Sequence, residues 1–382
     1  MSRPGVEITS RAAPIARTVP TATGPWFVVV QTTKHPVDAS SVPVVSLIRS
    51  MAEYEDVYGT RTGAAMGAWD SVDAYFREGG AILYATAVPS SPVSTDWTDA
   101  LDRLTADLGP GQVSAPGADD DAVNQALLDH AAATNRVALI EGPLTGDAAA
   151  MEAAADALTS AQNGRYGSLW GPGVVIPGVS PGTTRTISWA PIEAAIIARN
   201  DLAFTANEAA AGINGVSHYA LDLTARYSDS EYEDLNEAGI DMARVRYGTI
   251  EAYGYRSLVD AATDPQWLSF GYSRLNMAIV AQANAIGERY VFSQIDGRFR
   301  TISSFGAELS AMLVPFWNAG ALFGETAEDA FQVNVGGQVN TPATIANGEL
   351  HAVLQVRMSP FAELVVIEIV KVSTLESLAV AA

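Results

Sequence analysis

Apolar and polar residues alternate most regularly near the C-terminus. Leu350, Ala352, Leu354, Val356 and Met358 alternate with His351, Val353, Gln355 and Arg357. That is the period of a strand with one buried face. Pro360 cannot donate a ladder hydrogen bond, so Ser359 to Glu363 reads as a connection. Leu364 to Val372 is apolar on both faces apart from Glu368 and Lys371, as in a strand covered on both sides. Further upstream, Trp26–Gln31 (WFVVVQ), Val44–Ile48, Ile82–Val88, Val137–Glu141, Gly173–Pro177, Tyr290–Phe292 and Phe331–Val335 read as strands. Helical spacing covers Met51–Tyr58, Met66–Gly79 with Gly79-Gly80 as its stop, and Asp147–Gln162 with Asp147 as its cap. It also covers Ala190–Arg199, Ser273–Arg289 and Ser303–Phe323, where Pro315 is expected to kink or split the helix. Trp97, Leu101, Leu104 and Leu108 mark one face of another helix. The strand–helix–strand run from Val137 to Pro177 predicts a parallel sheet with a crossover.

The two ends stand apart from this pattern. Residues 1 to about 20 are broken by Pro4, Gly5, Pro14 and Pro20, and carry Arg3, Arg11 and Arg17 against Glu7, a net charge of +2. Val6 and Ile8 alternate with Glu7 and Thr9, the pattern of an extended arm with no core of its own. At the other end, Leu375, Leu378 and Val380 form a second short apolar-alternating stretch. An unpaired sheet edge can be satisfied by another chain. We therefore expect Val6, Ile8, Leu375, Leu378 and Val380 to add as strands to a sheet of Leu354, Val356, Ile367 and Ile369 in neighbouring copies.

Composition narrows the function. The chain has 382 residues, 48% of them apolar, enough for two or three packed domains. Its 22 basic and 43 acidic residues give a net charge of −21, which argues against nucleic acid as the main partner. Acids concentrate between Thr95 and Asp156, where the net charge is −10. With no cysteine there is neither a disulfide framework nor a thiolate metal site. No signal core or membrane-length apolar run is read, so folding in the cytosol without a membrane is expected.

Candidate chemistry is sparse. His35, His130, His218 and His351 are scattered, and no pair has the i, i+4 spacing of a helix-borne metal site. Gly171-Pro172-Gly173 precedes a strand and reads as a turn instead of a dinucleotide loop. Asp119-Asp120-Asp121 lacks the alternating ligands and central Gly of a calcium loop and reads as a solvated helix start. Trp26, Trp69, Trp97, Trp189, Trp267 and Trp317 lie in periodic apolar segments and read as core. No catalytic, cofactor or metal residue is assigned.

Several stretches resemble the tail sheath proteins of contractile phages and related contractile injection systems. They are Pro4-Gly5-Val6, Ser50 to Gly59 (SMAEYEDVYG), Ala74-Tyr75-Phe76 to Gly79-Gly80, and Phe204 to Glu208 with Gly212. Leu235 to Ile240 (LNEAGI), Trp317 with Gly320-Ala321-Leu322 and Gly324, Phe331-Gln332-Val333, and Pro360 with Glu363 continue the series. The sequence departs at Ala362 and Leu364, where the family carries Pro and Phe, and at Gly254-Tyr255-Arg256, where many members carry a Trp-Gly-x-Arg element.

The resemblance implies a non-enzymatic structural subunit that polymerises with itself as a helical stack of hexameric rings around a tail tube. Contraction would drive the tube through a target envelope. Implied partners are the tail tube, baseplate and tail terminator proteins, with assembly in the host cytoplasm and residence in the virion tail. The sheath of a cellular injection system is the alternative, and a subtilisin-like hydrolase a further one. The implied fold is mixed α/β: a tube-facing core from the N- and C-terminal thirds, a subtilisin-like middle domain and extended arms. Expected boundaries are 1–20 for the N-terminal arm, 21–94 for the first part of the core and 95–250 for the middle domain. Residues 251–372 would form the C-terminal core domain and 373–382 the C-terminal arm.

Overall fold

A computed structural model describes residues 23–34, 36, 43–118, 120–144, 146–159, 162–204, 206 and 208–363. The N-terminal arm with Val6 and Ile8 lies outside the described residues, as do Ile367, Ile369, Leu375, Leu378 and Val380.

The strand WFVVVQ forms β1 (Trp26–Gln31), with five of its six residues fully buried. A run apolar on both sides needs cover on both faces, and the neighbours supply it. Around β1 lie β2 (Ser46–Ile48), β3 (Leu83–Val88), β4 (Gln112–Ser114), β5 (Val137–Glu141), β6 (Gly167–Gly171), β10 (Ile240–Arg246) and β11 (Thr249–Ala252). They form one eight-stranded sheet in the order β11-β10-β6-β5-β4-β1-β3-β2. The pairs β3–β1, β1–β4, β4–β5, β5–β6 and β6–β10 are parallel, and the outermost pairs antiparallel. Val28 and Val30 face helices α1 (Met51–Tyr58), α2 (Met66–Glu78) and α6 (Ala190–Asn200). Phe27 and Val29 face α3 (Ser94–Leu101), α4 (Asp121–Thr134), α5 (Ala148–Thr159) and α7 (Asp229–Glu237).

Local signals place these helices. Ser50 caps α1: its Oγ accepts from Glu53 N at 3.2 Å, while Glu53 Oε2 accepts from Arg49 N at 2.7 Å. Gly79 ends α2 with φ +113°, a left-handed cap that favours glycine. Asp120 caps α4 by accepting from Ala122 N at 2.8 Å, so Asp120 and Asp121 form a helix start, while Asp119 lies outside the described residues.

A second, antiparallel sheet contains β7 (Val174–Pro177), β8 (Thr184–Ile187) and β9 (Asp222–Leu223). Buried charge fastens it to α2. Arg185 of β8 reaches Asp70 and Asp73 at 2.6 Å each and donates to Pro177 O at 2.8 Å. Nearby, Glu78 accepts from Ser217 Oγ, from the backbone N–H groups of His218 and Tyr219, and from Arg199.

Helix α8 (Phe270–Gly287) joins the main sheet to a third core. Its Phe270 and Met277 pack on the α2–α6 side, whereas Leu275, Ala278, Ile279 and Ile286 pack with α9 (Arg300–Asn318). On α9 stands a two-stranded ribbon of β12 (Phe331–Asn334) and β13 (Val353–Val356).

Several expectations are corrected. The strand following the Val137–Glu141 crossover is β6, because Gly167–Gly171 pairs with β5, and Gly173–Pro177 supplies β7 of the antiparallel sheet instead. Tyr290–Phe292 is a turn in which Phe292 takes φ +64°. Pro315 does not split α9, since Pro315 and Ala311 both lie on the exposed face, where water can satisfy the Ala311 carbonyl. The helix through Trp97 ends at Leu101, although Leu104 is still fully buried beyond it. The main sheet itself runs on across residue 94, since β1 pairs with both β3 and β4. Of the six tryptophans assigned to the core, Trp26, Trp69, Trp97 and Trp189 are buried, while Trp267 and Trp317 are half-buried.

Candidate inter-subunit edge

The ribbon turns Leu350, Ala352, Leu354, Val356 and Met358 toward α9, as their alternation requires. Its ladder is shorter than the alternation, with Phe331 opposite Val356 and Asn334 opposite Val353. Beyond the ladder, the buried Asn340 side chain replaces it, donating to Val335 O and His351 O and accepting from His351 N, each at 2.8 Å. Sequence reading missed Asn340, whose only signal is an amide between two turns.

The hydrogen bonds also show which backbone groups are spent. Arg357 N donates to Ala330 O at 2.9 Å, Arg357 O accepts from Phe323 N at 2.8 Å, and Ser359 N donates to Ala321 O at 3.0 Å. These inner bonds belong to odd-numbered positions, so antiparallel alternation turns the N–H and C=O of Leu354, Val356 and Met358 to the opposite edge. Among the described residues no strand lies there. Leu354 and Val356 thus combine a core-facing side chain with an outward backbone. The other seven residues expected to take part lie outside the described residues.

The described chain ends at Glu363, and what holds it there is Arg256. The guanidinium donates to Glu363 Oε2 and to Asn236 O, both at 2.9 Å, while its backbone N–H donates to Asp241 Oδ1 at 2.7 Å. Gly254 is required beside it, because a Cβ there would stand 2.8 Å from Asp241 Oδ1. Burial holds the Asp241 carboxyl well above the usual carboxylate range. Phe361 stacks on Tyr272 with ring centroids 6.3 Å apart. The stretches 235–240 and 254–256 therefore meet the distant 360–363 at one anchor.

His35 lies outside the described residues, and the other three histidines point elsewhere. His130 lies 3.0 Å from Arg136, and burial beside that cation lowers it to about 4. His218 lies 3.0 Å from Arg199, and His351 2.9 Å from Glu349. No group of three or more metal-ligating side chains occurs among the described residues, and none of their helices is long and apolar enough to cross a membrane.

The geometry defines an α/β protein with a doubly covered, mainly parallel sheet and a helix-backed ribbon whose outer edge is open among the described residues. No protein-family profile matches the chain, and no curated protein matches its sequence. Solved structures do match. The helical sheath of the anti-feeding prophage in its contracted state aligns with a TM-score of 0.73 at 21% identity, covering 97% of this chain and 99% of that one. The contracted sheath complex of PVC, an extracellular contractile injection system, aligns with a TM-score of 0.73 at 20% identity, covering 97% and 98%. A sheath tail protein from Desulfitobacterium hafniense aligns with a TM-score of 0.60 at 11% identity, covering 87% and 93%. The chain has the fold of contractile sheath proteins.

Proposed function

We propose that the chain is the structural subunit of a contractile sheath that polymerises around a tail tube and drives it through a target envelope. The open edge at Leu354, Val356 and Met358, on a fold shared with sheath proteins along 97% of the chain, carries this reading. Residues 1–20 and 373–382 serve as arms, adding Val6 and Ile8, or Leu375, Leu378 and Val380, as strands to that edge in neighbouring copies. The anchor at Arg256 fixes where the C-terminal segment begins. The role is structural and non-enzymatic, and baseplate, tube and terminator proteins are the other partners. The segment 95–250, whose strands β4, β5, β6 and β10 continue the sheet of β1 and β3, corresponds to a subtilisin-like domain, and its acid-rich stretch faces away from the tube.

Deleting residues 1–18 or 374–382 should leave a folded monomer that no longer forms sheath by electron microscopy. Normal sheath from either truncated chain overturns the strand-addition mechanism. The same reading covers a phage tail and a cellular injection device, and capsid and terminase genes beside this one would mark the phage.

A further inference from the structure

A cleft of about 490 Å³ opens between α7 and the last described residues. Tyr232, Tyr253 and Phe361 give it an aromatic lining, and Ser269, 8% exposed, adds a hydroxyl with no partner among the described residues. The rim is acidic. Helix α7 carries Asp229, Glu231, Glu233, Asp234 and Glu237 in nine residues with no base. Arg244 at the cleft is already committed, ion-paired with Asp229 and lying 4.6 Å over the Tyr232 ring. Glu233, on the rim, has no cationic partner among the described residues. An apolar knob flanked by unpaired cations fits such a cleft.

The chain carries such a knob at the turn between α8 and α9. Phe292 is fully exposed and Phe299 is 53% exposed, with φ +64° and +59°. Bulky residues rarely adopt this left-handed backbone, and such outliers concentrate where a side chain must be presented. Arg298 and Arg300 flank Phe299, and neither guanidinium has a carboxylate partner among the described residues. Unpaired arginines beside exposed aromatics stand out in a chain of net charge −21.

Cleft and knob cannot meet within one molecule. Ser269, in the cleft, is the N-cap of α8, and the knob follows the other end of that helix. Eighteen residues at 1.5 Å each hold the two about 27 Å apart. Resting on the polymer reading above, we propose that Phe292 and Phe299 of one copy seat in the Tyr232–Tyr253–Phe361 cleft of a second copy, with Arg298 and Arg300 against Glu233 and the acidic face of α7. Such a contact uses two different patches of one surface. It is head-to-tail and builds a ring or an open helical array instead of a two-fold dimer.

The test uses the full chain with a photocrosslinking benzoylphenylalanine in place of Phe299, mixed with isotope-labelled unmodified chain. Adducts between copies should map to residues 229–237, 253 or 361–363. The double variant Arg298→Glu/Arg300→Glu should raise the concentration needed for assembly about tenfold or more. Adding Glu233→Arg should restore it. All three positions are exposed, so circular dichroism of the monomers should match the parent. If the parent polymerises but adducts map to another surface, or Glu233→Arg restores nothing, this contact is wrong and the polymer reading stands. A parent chain that stays monomeric under all assembly conditions overturns both.

Discussion

Val356→Pro tests the open edge at a single atom. Val356 N–H points away from β12, so a proline there costs the ribbon no ladder bond, and edge strands tolerate proline in that orientation. The ring is close to valine in volume and keeps the contact with the α9 core, so the monomer should lose only about 1 kcal/mol. Assembly should respond differently. The edge offers the N–H and C=O groups of Leu354, Val356 and Met358, and each bond formed is worth about 0.5–1.5 kcal/mol net. Proline removes one donor, and its ring holds the incoming strand away from the neighbouring groups. A loss of about 2–3 kcal/mol per joint weakens association about a hundredfold. Gln355→Pro is the control, because the Gln355 N–H faces Gln332 inside the ribbon. That variant should fail in thermal melting of the monomer, before assembly is reached. Sedimentation and negative-stain microscopy read the polymer. Val356→Pro assembling at the parent's concentration would show that the edge takes no strand.

Three other outcomes follow from the same structure. Arg185→Met strands Asp70 and Asp73 in the interior with only half-buried Arg61 and exposed Arg77 beside them, and should cost about 3–5 kcal/mol in chemical denaturation. A change below about 1 kcal/mol would mean the buried network contributes nothing. Burial lifts Glu141 to about 7 from 4.5, so the folded chain holds a proton that the unfolded chain releases. Stability should therefore fall as pH rises from about 4.5 to about 7 and stay lowered above that, by up to about 3 kcal/mol. Glu141→Gln should flatten that slope, and melting curves across this range with the parent's pH dependence refute the assignment. Finally, copies of net charge −21 repel, so dilute buffer should loosen the polymer and added salt firm it; turbidity indifferent to salt contradicts this.

Local pattern was sufficient wherever a segment's own residues decide its conformation. Trp26–Gln31, Met51–Tyr58 and Val137–Glu141 fall where their periodicity and flanking caps put them, because the apolar face and the cap are both encoded within a few residues. The alternation of Leu350 to Met358 likewise fixed which side chains face the core, and so where an open edge would lie. The fold supplied what depends on distant neighbours. Strand β6, GSLWG, has little apolar signal because small residues are needed there: a Cβ on Gly167 would lie 2.3 Å from Leu128 and one on Gly171 1.9 Å from Met151. Tyr290–Phe292 has strand-like composition, yet it caps the end of α8 as a turn. Asp70, Asp73, Glu78 and Asp241 count as surface charge in a composition, but they are buried because Arg185, Arg199 and backbone N–H groups from remote segments arrive to pair them. The sequence by itself therefore determined the elements whose apolar face and caps are local, and which side chains of Leu350 to Met358 face the core. Only the tertiary structure decided which strands are partners and which charges are interior, since those depend on groups outside the local segment, such as Arg185, 115 residues from Asp70.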